Sequence, residues 1–140
     1  MRTPAPRLPL LTALALCLAL PLAAHAHESD AAGGRPQTEM VQQEALAGGQ
    51  QMTAIRLHVP PGGSSPPHRH SGTLIVYMLS GHVRSGLNGE DAVLYGPDDS
   101  WTEPEGTHHT RFENVSETEP AELLVVSVAP ANATPTIMDE

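Results

Sequence analysis

The sequence contains no lysine and only one cysteine, Cys17, and both features narrow the possible chemistry. Cys17 lies in an N-terminal segment that we expect to be cleaved, so the remaining domain has neither disulfides nor thiolate metal ligands. Its metal chemistry would have to use nitrogen and oxygen. The same domain carries five arginines against sixteen acidic residues, a balance that repels phosphate backbones and anionic membranes. We therefore expect no nucleic acid and, after cleavage, no membrane among its partners.

The N-terminal segment has the pattern of a secretory signal. Two arginines precede an apolar run over residues 8–24, which ends in the A-x-A pattern Ala24-His25-Ala26. A membrane anchor is the alternative, but Pro9 and Pro21 interrupt a run that is already short for a spanning helix. We predict that residues 1–26 are a signal peptide and that the protein is periplasmic or secreted.

The rest of the chain, about 114 residues, has the size of one domain. We predict a flexible leader over residues 27–39, a β-barrel domain over residues 40–130 and a C-terminal tail over residues 131–140. Residues 40–47 fit either a short helix or an edge strand, and the sequence does not separate these two structures.

Short strand patterns fill the predicted domain. Residues 51–59 alternate between apolar and mixed faces, and residues 73–79 are apolar enough to predict a strand buried on both faces. Asn88-Gly89 predicts a tight hairpin turn between residues 83–87 and 92–95. Further strands are predicted at residues 101–103, 109–114 and 121–129. This many short strands with frequent turns predict an all-β sandwich or small barrel.

Three histidines form the candidate metal site. Alternate side chains of a strand face the same way, so His68 and His70 project to one side and Arg69 to the other. A third ligand must come from elsewhere in the chain. The strand after the Pro-Glu-Gly turn offers His109 or, as the alternative, His108, and a register slip of one residue would exchange them.

The spacing of these residues resembles the cupin superfamily, whose fold is a double-stranded β-helix, or jelly-roll barrel. The first motif of that family is a glycine, five residues, His-x-His, a glutamate three or four residues later, and a second glycine. Gly62, His68, His70 and Gly81 occupy the matching places.

The second motif of the family is a glycine, five residues, Pro-x-Gly, two residues, a histidine and then an asparagine. Pro104, Gly106 and His109 match it, while Asn114 comes one position late. The resemblance implies a divalent metal ion held by His68, His70 and His109, a small-molecule ligand, and a homodimer as a common assembly.

Two positions depart from the family pattern. Leu74 and Ile75 stand where the glutamate ligand is expected, so the four-ligand site is lost. Asp98 stands where the first glycine of the second motif is expected, and we predict that the loop before Trp101 turns differently. Three neutral imidazoles still suit Fe, Mn, Zn, Ni or Cu, and the sequence does not identify the ion.

Glu103 is the candidate catalytic residue. Its place near the second motif predicts a role in orienting a histidine or as a general base, and the alternative is a solvated turn residue. Side chains that would line a pocket beside the metal are Tyr77, Trp101, Phe112 and Leu74. Core packing explains most of them equally well.

Three functional hypotheses follow. The first is an exported metalloenzyme, resembling cupin oxygenases or isomerases, that acts on a small organic molecule. The second is a non-catalytic module that binds or senses a small ligand or a metal. The third is a barrel with an empty site used for protein contacts, which the missing glutamate suggests. An inward-facing Glu103 would favour the enzyme, because an enzyme needs an acid or base near the metal.

Overall fold

The computed structural model of the protein describes residues 33–139. The predicted signal peptide and residues 27–32 of the predicted leader lie outside the described residues. Regular structure in residues 33–139 consists of strands and one short 3-10 turn, Ala47–Gly49. This confirms the predicted all-β class. Within the same range, no helix is long and apolar enough to cross a membrane.

The strands are short and follow one another through tight turns. In chain order they are β1 Gln37–Leu46, β2 Gln50–Val59, β3 Ser64–Ser65, β4 His68–His70, β5 Thr73–Ser80, β6 Val83–Leu87, β7 Val93–Tyr95, β8 Ser100–Glu103, β9 His108–Asn114, β10 Ala121–Pro130 and β11 Thr136–Met138.

These strands form two antiparallel sheets. The first has the order β1-β2-β10-β5-β8, and the second has the order β11-β4-β9-β6-β7 with β3 paired to β9. The inner faces of the two sheets enclose the core, which includes Val59, Met78, Val83 and Leu123 without measurable exposure. The predicted double-stranded β-helix is confirmed.

The two ends of the predicted domain belong to the sheets. Residues 40–47, for which a helix and an edge strand were both open, fall mostly in β1, which pairs along its length with β2 at the edge of the first sheet. That strand begins at Gln37, inside the predicted leader. The predicted tail contains β11, which pairs with β4. The segment after residue 130 is therefore placed directly beside the His-x-His strand.

Strand β5 alternates between buried and exposed residues over residues 73–79. Leu74, Val76 and Met78 face the core, whereas Ile75 and Tyr77 are exposed on the outer face. The prediction that this strand is buried on both faces was wrong, because an apolar strand in a two-layer β fold has only one face against the other sheet.

Turn chemistry agrees with the backbone at two positions. Asn88 and Gly89 have φ angles of 53° and 78°, and the Glu90 amide donates to the Leu87 carbonyl across the predicted hairpin turn. Asp98 has a φ of 71°, the left-handed conformation that glycine favours. The aspartate thus adopts the backbone conformation that glycine favours, and a different turn in the loop before Trp101 stays a prediction.

Asn114, at the end of β9, ties three segments of the chain together. Its side-chain amide donates to the carbonyls of Val59, Pro60 and Glu119 at 3.1, 3.1 and 2.8 Å. Its Oδ1 atom accepts a hydrogen bond from the Ser116 amide. Asn114, which lies one position later than the family pattern expects, therefore holds the start of the β2–β3 loop in place.

Candidate metal centre

The three predicted histidines converge on the inner face of the second sheet. One ligand atom from each of His68, His70 and His109 lies within 4.8 Å of the others. His68 and His109 are direct partners across β4 and β9, and their ring centroids are 5.0 Å apart. Arg69 points the opposite way, and its guanidinium donates to the Gly106 carbonyl at 2.9 Å.

A bulge in β9 selects His109 rather than His108. Gly86 pairs with Arg111 and Leu87 pairs with His109, so Thr110 is an extra residue in the ladder between β6 and β9. Strict alternation from the buried Phe112 would turn His109 outward, but the extra residue reverses the parity. His109 is consequently buried. His108 lies on the outer side, where its Nε2 atom is 2.7 Å from Asp139.

Neighbouring groups hold two of the rings in place. His68 Nδ1 lies 2.7 Å from the Pro66 carbonyl oxygen, and donation of a proton there leaves the Nε2 lone pair facing the cluster. His109 Nε2 lies 2.9 Å from Ser85 Oγ, which in the same way leaves Nδ1 for the cluster. Ser85 was not identified from the sequence, although a hydroxyl at an inward position of β6 was the available signal.

The distance between two ring nitrogens fits a shared cation. His68 Nε2 and His70 Nε2 are 3.1 Å apart. Two imidazole lone pairs at this distance repel each other unless a proton or a common ion lies between them. Three such donors suit borderline divalent ions of the first transition row.

Burial keeps two of the rings neutral. Desolvation, reinforced by His68, lowers the pKa of His70 from 6.5 to about 4, although a hydrogen bond to the Pro135 backbone opposes the shift. Desolvation, with contributions from His68 and His70, lowers the pKa of His109 to about 3. Neutral imidazole is the form that binds metal, so both rings are ready for coordination near pH 7.

Glu103 is buried beside the rings, with 2% of its surface exposed. The alternative of a solvated turn residue was therefore wrong. Burial raises the pKa of its carboxyl, partly offset by a hydrogen bond from Trp101 Nε1 to Oε1 at 2.9 Å. The other oxygen, Oε2, has no hydrogen-bond partner. Trp101 is itself held by a stacked contact with Tyr95, whose ring centroid is 4.2 Å away.

The histidines open onto a cavity of about 530 Å³ between the sheets. Three of the four predicted pocket residues line it: Leu74, Trp101 and Phe112. Tyr77 does not, because its parity on β5 places it on the outer face, where its hydroxyl donates to Asp98 at 2.7 Å. Residues from the predicted tail, including Pro135, Thr136 and Met138, complete the wall. Nothing in their composition indicated that role.

Comparison with solved structures supports the same fold. An uncharacterized conserved protein with a double-stranded β-helix domain from Klebsiella pneumoniae is 21% identical, with a TM-score of 0.60 over 76% of this chain and 87% of that one. KdgF from Halomonas sp. is 23% identical, with a TM-score of 0.55 over 68% and 78% of the two chains.

A further similar structure is the DMSP lyase DddQ from Ruegeria pomeroyi, which is 20% identical, with a TM-score of 0.58. The match covers 74% of this chain and 51% of that one. A search of curated proteins found no significant match. Residues 55–127 match the cupin domain family, and these residues make up more than half of the chain. The chain belongs to the cupin domain family.

Proposed function

We propose that the protein binds a divalent metal ion through His68, His70 and His109 and acts as a small metal-dependent enzyme on an organic molecule held in the cavity. The observation that carries this proposal is the convergence of three ligand atoms within 4.8 Å at the wall of a cavity of about 530 Å³. A cavity of this size matches the usual range for small-molecule sites. Oxidation or isomerisation of the bound molecule is the reaction class we favour.

The surroundings of the rings support metal binding over a purely structural histidine cluster. Two of the rings resist protonation, and Glu103 places a buried carboxylate next to them. A cluster of buried polar groups with one oxygen left unpaired costs free energy unless a cation compensates. Fe, Mn, Zn, Ni and Cu all accept this nitrogen and oxygen donor set.

The protein groups around the site have separable roles. When bound, a divalent ion supplies Lewis-acid chemistry to a coordinated oxygen. Pro66 and Ser85 orient two of the imidazoles, and the apolar wall formed by Leu74, Trp101 and Phe112 excludes water from the adjoining space. To Glu103 we assign the role of orienting a histidine or moving a proton.

A non-catalytic binding module is the second candidate. Glu103 is the only acidic residue that lines the cavity in residues 33–139, and much of the remaining wall is aliphatic or carries hydroxyl groups. Such a wall suits retention of a small, largely apolar ligand. The similarity to a DMSP lyase, at 20% identity, shows a shared fold and carries neither an activity nor a substrate over to this chain.

We further propose that the protein acts outside the cytoplasm, as the N-terminal pattern of residues 1–26 indicates. A site without cysteine ligands is compatible with an oxidising compartment. A homodimer is the assembly we propose from the family resemblance, and size-exclusion chromatography with light scattering tests it.

Metal analysis tests the proposed metal centre. Protein purified without chelator is compared with His68→Ala and with His108→Ala, which removes the neighbouring outward-facing histidine. We expect about one equivalent of metal in the wild type and in His108→Ala and a large loss in His68→Ala. Absence of metal from the wild type, combined with no uptake of added Zn(II), Fe(II) or Mn(II), would overturn the proposal.

A further inference from the structure

Only one of the two oxygens of the Glu103 carboxylate has a hydrogen-bond partner. Its Oε1 atom accepts from Trp101 Nε1 at 2.9 Å, whereas Oε2 is buried without a hydrogen-bond partner. A buried carboxylate oxygen with no donor is costly, and proteins retain one where another group compensates it. Because Trp101 bonds Oε1, Oε2 is the oxygen that lies near His70, 3.6 Å from its Nε2 atom.

The distances from the Glu103 carboxylate to the histidines fit metal coordination better than hydrogen bonding. Oε2 lies 3.6 Å from His70 Nε2, and Oε1 lies 3.5 Å from His109 Nδ1. Both separations exceed those of good hydrogen bonds. With metal–ligand bonds of about 2.1 Å, neighbouring ligand atoms are about 3.4 Å apart in a tetrahedral site. Toward His70, Oε2 therefore stands at the spacing of a further ligand.

The strand register explains how a carboxylate reaches this place. Leu74 on β5 and Glu103 on β8 are direct partners in the antiparallel ladder, and both side chains are buried on the inner face. Neighbouring strands are about 4.8 Å apart, a distance that a glutamate side chain spans. Leu74, which stands where the family pattern has its glutamate ligand, thus lies directly beside Glu103 on the neighbouring strand.

We propose that Glu103 Oε2 is the fourth protein ligand of the metal centre, supplied by β8 in place of the residue at position 74 on β5. This inference rests on the proposed metal site. It gives Glu103 a direct bond to the ion, in place of the general-base role expected from the sequence, with Trp101 as the residue that positions the carboxylate. Leu74 then fills the space beside the ligand.

The test compares Glu103→Gln with Glu105→Gln, which removes the same charge from an exposed residue two positions along the chain. Zn(II) affinity is measured by competition with a chromophoric chelator, and the absorption of Co(II)-loaded protein reports coordination. Groups that only orient a ligand typically change affinity about 10–100-fold. For Glu103→Gln we expect a larger loss and an altered Co(II) spectrum, with neither change in Glu105→Gln.

A crystal structure of the Zn(II)-loaded wild type gives a second readout that does not depend on the folding of a variant. Oε2 at about 2.0–2.2 Å from the ion supports the inference. An ion bound by the three histidines with Oε2 beyond about 3 Å, or wild-type affinity and spectrum in Glu103→Gln, overturns it while the three-histidine site stands. If the wild type binds no metal, both proposals fail.

Discussion

His68 and His109 lie directly opposite each other on β4 and β9, although 41 positions separate them in the chain. Their side chains meet because both strands present these residues to the interior, and His109 does so only because Thr110 forms a bulge. A bulge changes which face a side chain occupies without changing the residues themselves. The third histidine of the site therefore depends on a local irregularity of the ladder.

This relationship predicts opposite outcomes for two adjacent histidines. His109→Ala should lower metal affinity by more than about 100-fold, because it removes a ligand and not only an orienting group. His108→Ala should leave the affinity within about twofold, since His108 contacts Asp139 on the outer side. Zn(II) competition titrations measure both. Equal losses in the two variants would show that the bulge is absent in solution.

The sequence predicted the fold because its signals were local and mutually consistent. Alternation along residues 51–59, the Asn88-Gly89 turn and the two spaced motifs all indicated the same β architecture, and each is visible in the strands observed. The His-x-His pair also follows directly from strand geometry, which places His68 and His70 on one face.

Other parts of the site depended on tertiary structure. The bulge at Thr110 has no composition signal, so strand alternation alone left His108 as an alternative, and the family resemblance was what implied His109. Glu103 is buried on the inner face of β8 opposite Leu74, and pairing between strands that lie far apart in the chain cannot be predicted from local sequence. The same holds for β11, whose pairing with β4 turns a predicted tail into part of the cavity wall.

Asn114 should contribute strongly to stability. Asn114→Ala removes the side-chain amide that bonds three carbonyls and the acceptor of the Ser116 amide, although the Pro60 carbonyl keeps the Gly63 amide as a donor, so we expect a loss of roughly 2–3 kcal/mol in the free energy of unfolding. Asn132→Ala, at an exposed position, is the matched control and should change it by less than about 0.5 kcal/mol. Urea denaturation measures both values, and similar results for the two variants would contradict the role of Asn114.

Tyr77 should be dispensable for the site. Tyr77→Phe removes only the outer hydrogen bond to Asp98, so the metal affinity and the shape of the cavity should be unchanged.

Phe112→Ala, by contrast, removes a buried ring that contacts His109, with the two ring centroids 5.4 Å apart. We expect it to lower the free energy of unfolding by about 3–5 kcal/mol. Thermal and urea unfolding together with Zn(II) titration distinguish the two variants. A large loss of metal affinity in Tyr77→Phe would show that Tyr77 belongs to the metal site.

Acid should destabilise the metal-free protein at pH values where most carboxylates are still ionised. The pKa values of His70 and His109, about 4 and about 3, lie below the value of 6.5 for an unfolded histidine. Between these limits the unfolded state binds more protons, so stability falls as pH decreases from about 6.5. Each histidine contributes up to about 1.4 kcal/mol per pH unit.

Glu103 acts in the opposite direction in the lower part of this range. Its pKa is raised by burial, so the folded state takes up a proton there before the unfolded state does, which offsets part of the loss. Urea denaturation of chelator-treated protein at intervals from pH 7 to pH 4.5 should therefore show a decline that is shallower in His109→Gln. Metal should suppress the decline near pH 6.5, because the ion binds only the folded, neutral rings. A stability that is constant from pH 7 to pH 5 in the metal-free wild type would mean that these rings are not buried as described.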